Sequence, residues 1–203
     1  MAFGKDTSHH TTRDVPVGSG TSLKGQLLIA SPHMEDPRFR HSVIMICQHD
    51  SEATMGVVIN RRSQQIDLKQ LCQTLEIGTP RFCGNQPIHI GGPVENGRGF
   101  VLHTQDHMRP ESVAVTPEIG LTSSIKILRD ITDGTGPTQS IISLGYAGWS
   151  AGQLEAEMAE NAWLNIPAKS ELVFHSDIDN LWNKAFATLG VNPGHYVDRP
   201  GNA

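Results

Sequence analysis

The stretch PIHIGGPVENGRGFVLHTQDHMRPESVAV, Pro87 to Val115, decides the fold class. Short apolar runs at Ile88 to Ile90, Gly99 to Leu102 and Val113 to Val115 alternate with the chain-turning residues Gly91-Gly92-Pro93 and Met108-Arg109-Pro110. Three strands therefore follow one another with no room for the crossover helix that parallel neighbours need. Antiparallel or mixed pairing is expected, not a doubly wound parallel sheet.

Working outward, Gly25 to Ala30 is a compact apolar run stopped by Ser31-Pro32 and reads as a buried strand. Ser42 to Gln48 and Gly56 to Asn60, with a turn through Asp50 to Thr54, read as a hairpin. Leu68, Leu71, Cys72 and Leu75 recur at helical spacing, and Asp67 is placed to cap the helix start. Downstream, Ile125, Leu128 and Ile131 mark a second helix that Gly134-Thr135-Gly136-Pro137 must end. Ser140 to Leu144 is expected as a strand that Gly145-Tyr146-Ala147-Gly148-Trp149 turns into a helix from about Ala151 to Asn161. Leu172 to Phe174 reads as a last strand. Ser176 to Asp179 fits a capping box before a helix carrying Ile178, Leu181, Trp182, Ala185, Phe186 and Leu189, closed by Gly190. The interleaved elements make the class α+β, without an internal repeat. Met1 to Ser22 is expected as a flexible tail and residues 23–203 as a single domain.

Composition limits the function. The chain has 203 residues, 37% of them apolar, enough for one core without a metal or disulfide staple. A net charge of -5 gives no overall field toward phosphate backbones or anionic lipid, although a local basic patch remains open. Cys47, Cys72 and Cys83 form no CxxC pair, and their odd number without a secretory signal pattern argues for reduced thiols in the cytoplasm. The apolar runs fall far short of the roughly 20 residues a membrane-spanning helix requires, so no membrane partner is expected.

Several punctuated segments together resemble the AlgH/YqgE family of mostly bacterial proteins. They are GQLLIASP at Gly25 to Pro32, DPRFRHSVI at Asp36 to Ile44, GVVINR at Gly56 to Arg61, GGPV at Gly91 to Val94 and FVLH at Phe100 to His103. GYAGWSAGQLEAE at Gly145 to Glu157, Asn161-Ala162-Trp163, Trp182 and the closing Gly201-Asn202-Ala203 complete the pattern. The resemblance implies a bent, partly barrel-like β-sheet surrounded by helices. It implies no substrate, and some members are labelled transcriptional regulators.

Each candidate site has a structural reading beside the functional one. Gly145 to Trp149 opening onto a helix would offer free amides to an anion, or Gly145 and Gly148 simply permit a tight turn while Tyr146 and Trp149 pack. Gly91 and Gly92 carry the same two readings. The loop Ser31 to Ser42 collects Ser31, His33, Glu35, Asp36, Arg38, Arg40 and His41, which suit a polar ligand or proton transfer, yet Asp36-Pro37 also opens a turn and Arg38 can pair with Asp36. After Asn60, Arg61 can clamp a carboxylate or phosphate or make a salt bridge. Arg38, Arg40, Arg61 and Arg62 form one basic cluster only if their loops lie side by side.

The sequence has no GxSxG elbow and no Cys/His signature, and His33, His41 and His49 lack metal-ligand spacing. His103 reads as a hydrogen-bonded core histidine. The expectation is a non-enzymatic binding or regulatory protein, without cofactor, that recognises a small anionic ligand or a protein partner. Its site would draw on Ser31, Asp36, Arg38, Asn60, Arg61, Gly91, Gly92, Gly145, Tyr146, Gly148 and Trp149. The rivals are a DNA-contacting regulator, disfavoured by the acidic helix after Trp149, and a hydrolase or transferase with Asp36 or His41 as base.

Overall fold

The computed structural model describes residues 22–78, 80, 86–174 and 177–190. The expected tail (Ser22 apart), Cys83 and most of its segment, Ser176 of the expected capping box, and the closing Gly201-Asn202-Ala203 lie outside them.

In chain order the elements are β1 (Gln26–Ala30), β2 (Val43–His49), β3 (Ala53–Val58), α1 (Leu68–Thr74), β4 (Ile88–Ile90), β5 (Val94–Thr104), β6 (Val113–Ala114) and β7 (Ile119–Thr122). Then come α2 (Ile125–Asp133), β8 (Ser140–Ser150), α3 (Gln153–Ala159), β9 (Trp163–Pro167), α4 (Ser170–Val173) and α5 (Leu181–Ala187). The sheet runs β6-β7-β5-β8-β3-β2-β1-β9, antiparallel throughout, and curls into a half-barrel. β4 lies off this path, parallel to β8. The α+β expectation and the absence of a doubly wound sheet hold.

Burial on both faces of the sheet explains the near-continuous apolar runs. Leu27, Ile29, Val43, Met45 and Val57 point into one cluster with Trp182 and Phe186 of α5. Their neighbours Leu28, Ala30, Ile44, Ile46 and Val58 point into a second, closed by Leu154 of α3. A third cluster under α1 and α2 holds Leu68, Leu71, Ile127, Leu128 and Ile131 against Ile88, Val101 and Ile142. Each large side chain so buried contributes roughly 1.5–3 kcal/mol. Asp67 caps α1 as expected, accepting from Gln70 N while the Gln70 side chain accepts from Asp67 N in return. Ser124 caps α2, and Gly134 ends it in the left-handed region at φ 76°.

The last helix begins only at Leu181, with Asn180 as an N-cap that makes no side-chain bond, so Ile178 and Asp179 of the expected capped helix precede it. Four further expectations need correction. First, Gly145 to Trp149 is not a turn into a helix: β8 runs on to Ser150 and pairs with β3, Gly56 opposite Ala147 and Ala53 opposite Ser150. Gly145, at φ 73°, is instead a kink that shifts the alternation. Before it Ile142 faces the third cluster, and after it Ala147 and Trp149 face the second. Second, Leu172 to Phe174 belongs to the short helix α4 and its cap, since a three-residue apolar run does not distinguish helix from strand. Third, β7 and β9 are strands that the sequence reading passed over. Fourth, β5 begins at Val94, and the exposed stretch Glu95 to Arg98 bulges from its ladder before Gly99 resumes pairing. Among the described residues no helix is long and apolar enough to cross a membrane.

Candidate functional site

The loop between β1 and β2 and the segment after β3 do lie side by side, joined by side chains read as candidates. Asn60 accepts from Val43 N at 2.8 Å and donates to the His41 carbonyl at 2.9 Å, so its amide splices the two segments. An Arg61 terminal nitrogen donates to the carbonyls of Arg40 at 2.9 Å and Pro37 at 3.4 Å. Asp36 turns the loop: its carbonyl accepts from Phe39 N and Arg40 N, and its carboxylate accepts from Arg38 N. The Arg38 guanidinium grips the same carboxylate, Nε to Oδ1 at 3.0 Å and NH2 to Oδ2 at 2.7 Å. Those bonds hold the Asp36 carboxyl below the usual carboxylate value. As a base it is weakened, and the other candidate base, His41, sits at φ 56° with its ring against Trp182 at 4.5 Å.

The glycines mark where the sheet forks. β3 pairs with β8 only as far as Gly56, and β4 is wedged between the continuation of β3 and β8. Ile90 N donates to the Arg61 carbonyl, Ser63 N to that of Ile88, and Val58 N to that of Gly91. Gly91 N in turn reaches the Leu144 carbonyl at 2.8 Å. A Cβ on Gly91 would stand 2.2 Å from the Gly145 carbonyl oxygen, so backbone meets backbone at the crotch of the fork. The Gly91-Gly92 and Gly145 motifs, far apart in sequence, are two sides of one contact.

Beside the fork opens a cavity of about 380 Å³ lined by Arg38, Arg61, Ser63, His89, Gly92 and Asn96 among others. Arg61 is half-buried, and burial lowers its guanidinium from the ordinary arginine value, although arginine stays charged in proteins. Among the described residues no carboxylate lies within ion-pair distance of it. Ser63 Oγ accepts from Gln65 N and Ile66 N, leaving its proton for another acceptor. His89 is 2% exposed, and its Nδ1 has no hydrogen-bond partner among the described residues. Burial pushes its pKa down to about 4 against a hydrogen bond with the Ile59 backbone, so the ring is neutral near pH 7.

Across the ridge of Arg38 and Pro93 lies a second cavity of about 280 Å³, lined by Asp36, Gly148, Trp149, Glu157 and Trp163 among others. Phe39, Trp149 and Trp163 pack mutually there, the two indoles edge to face at 6.0 Å. Glu157 Oε2 accepts from both indole N–H groups, at 2.9 Å from Trp149 and 2.7 Å from Trp163, and Gln153 holds Oε1. Glu157→Ala should lower stability by about 2 kcal/mol, because two largely buried donors lose their acceptor. Glu157→Gln, which keeps an oxygen there, should cost less; equal urea midpoints for the two variants would show that the clasp carries no weight.

The candidate residues therefore divide. Arg38, Arg61 and Gly92 share the first cavity; Asp36, Arg38, Gly148 and Trp149 share the second. Ser31 is buried at the end of β1, where its backbone N–H donates to the Ala162 carbonyl. Tyr146 packs against Phe100 and, with Gly148 and Trp149, lines a further hollow of about 540 Å³ whose wall mixes apolar residues with Arg98 and Glu111. His103 is fully buried with Nδ1 against the Thr104 carbonyl, as a core histidine. The sequence reading missed His89, Ser63 and Glu157. Among the described residues no group of three or more His, Cys, Asp or Glu could hold a metal ion.

A family model described as AlgH-like matches residues 27–194. A UPF0301 protein of Chelativorans sp. is 42% identical over 193 residues, 92% of this chain and 96% of that one. Another, from Rhodopseudomonas palustris, is 43% identical and covers 93% of this chain and 90% of its own. The solution structure of the AlgH protein from Pseudomonas aeruginosa superposes with a TM-score of 0.73 at 40% identity, covering 93% of this chain and all of that one. A Corynebacterium diphtheriae crystal structure shares the fold, with a TM-score of 0.64 at 23% identity and 79% and 83% coverage of the two chains.

Proposed function

The chain belongs to the AlgH-like family, and from that premise we propose that it is a non-enzymatic binding or regulatory protein that takes a small anion in the cleft beside Arg61. One observation carries the reading: a half-buried guanidinium lines a cavity, and among the described residues no carboxylate is within ion-pair distance of it, Asp36 acting on it only through space while bonded to Arg38. A charge so placed favours an anionic guest, and the planar donor fork of arginine suits carboxylate or phosphate oxygens. Arg38 lines the same cavity but is already engaged by Asp36, so it contributes field more than free donors.

The test is a thermal-shift and calorimetric series with inorganic phosphate, phosphate monoesters and dicarboxylates on the full chain. A ligand present at 100 times its dissociation constant adds about 2.7 kcal/mol of stability. Arg61→Ala should weaken that binding by about 10- to 100-fold, the worth of a hydrogen bond to a charged group. Unchanged affinity in the variant overturns the placement. A second reading, contact with DNA, gains from the side-by-side loops that bring Arg38, Arg40, Arg61 and Arg62 to one region. It predicts duplex binding that weakens steeply with salt, and failure to shift duplexes at low salt retires it.

A further inference from the structure

The strand register around the fork puts Arg61 at the end of an apolar row. Arg62 bridges His89 in antiparallel sense, and the hydrogen bonds from Ile90 N to the Arg61 carbonyl and from Ser63 N to that of Ile88 flank the bridge, so Arg61 stands opposite Ile90. Ile90 in turn stands beside Leu144 of β8. Residues level with one another in adjacent strands share a face of the sheet, so Arg61, Ile90 and Leu144 make one row across three strands. All three line the cleft, together with Ile66. Ile66 and Leu144 also pack on the rim of the third apolar cluster, while Ile90 is 47% exposed. At the head of the row one terminal nitrogen of Arg61 serves the Arg40 and Pro37 carbonyls; its Nε and other terminal nitrogen have no hydrogen-bond partner among the described residues.

We infer that the cleft takes an anion with an apolar body, its carboxylate or phosphate head on the free donors of Arg61 and its alkyl chain or ring laid against Ile90 and Leu144. This rests on the reading of the cleft as an anion site and adds the class of molecule that carries the charge. A wholly polar anion would satisfy Arg61 and leave the apolar wall in water, whereas an apolar body removes both that wall and itself from solvent. A volume of about 380 Å³ suits a molecule of metabolite size.

Calorimetry on the full chain with two matched pairs tests it: acetate against hexanoate, and methyl phosphate against hexyl phosphate, with 1-hexanol as the uncharged control. The longer member of at least one pair should bind roughly tenfold tighter or more, the worth of about two buried CH2 groups. Which pair shows the effect separates carboxylate from phosphate. Arg61→Ala should weaken every anion that binds, and Ile90→Ser should weaken the longer member at least about threefold. Should the Ile90 variant fail to fold, nuclear Overhauser contacts in the wild type decide: protons of the bound alkyl chain should reach the Ile90 methyl groups. Equal affinities within both pairs, a longer member unmoved by Ile90→Ser, or a bound chain without contact to Ile90 overturns the inference and leaves the anion reading standing. No binding by any of the four anions, or 1-hexanol binding as tightly as they do, overturns both.

Discussion

Gly92→Ala should destabilise the fold by more than about 3 kcal/mol, with a sharp loss of soluble protein, whereas Gly97→Ala should be nearly silent. Gly92 sits at φ 154°, and a Cβ there would lie 2.1 Å from the Tyr146 carbonyl carbon and 2.3 Å from Ala147 N. Those atoms are backbone of β8 and cannot swing aside as a flexible side chain would. Giving way would mean prising β4 and β8 apart where β3 and β8 separate, disturbing three ladders together. Gly97 has nothing within 4 Å of its added Cβ, so it controls for the generic effect of replacing glycine. Urea midpoints for the two variants check this, and similar midpoints would remove the structural reading of the Gly91-Gly92 motif.

Stability should also fall by about 3 kcal/mol as pH drops from about 6.5 to about 4, through His89 alone. The sign follows from the ring's lowered pKa. Over that window the unfolded chain takes up a proton that the folded chain, with the imidazole buried, refuses. The unfolded state is thus favoured progressively as pH falls, and the contribution is constant above the window. Asp36 and Asp106 are held below the usual carboxylate range, Asp106 at about 2 through Thr104 and Thr138, so their protonation acts at lower pH. Urea titrations of the wild type and His89→Gln between pH 7.5 and roughly 4 separate the two. A wild-type slope no steeper than that of the variant, in which buried His103 is still held below its ordinary value, would mean that His89 gains its proton without opening the fold.

The first sheet half was legible because burial on both faces writes unbroken apolar runs at Leu27 to Ala30 and Val43 to Cys47. α1 and α2 were legible from their caps. β8 beyond Leu144 was not, because glycine announces conformational freedom without saying what needs it. In Gly145 it permits a kink against the Gly92 carbonyl, a contact no local window contains. β9 was hidden for a related reason: Trp163 to Pro167 holds a polar Asn and ends in proline, both tolerated at a sheet edge. At the site, residue types alone leave open whether Arg61 meets the Asp36 to Arg40 loop, and the Asn60 splice brings the two together. His89 escaped notice because a histidine between two isoleucines looks like any core strand residue; only the fork beside it makes the unmatched nitrogen visible.

The position of β9 has a consequence for how the polypeptide assembles. β1 is flanked by β2 on one side and by β9, Trp163 to Pro167, on the other, with Leu27 opposite Ile166. During synthesis the β1–β2–β3 meander emerges first and can zip locally, but the outer rim of β1 stays unpaired until most of the chain has left the ribosome. Trp182, whose indole donates to the Ala30 carbonyl at 2.8 Å, arrives later still. Connections of that span make slow folders, and an apolar rim left open is a template for pairing with a neighbouring nascent chain. Truncations ending before Trp163 should therefore aggregate rather than persist as soluble halves, and dependence on chaperones should concentrate in the interval between translation of β3 and of β9.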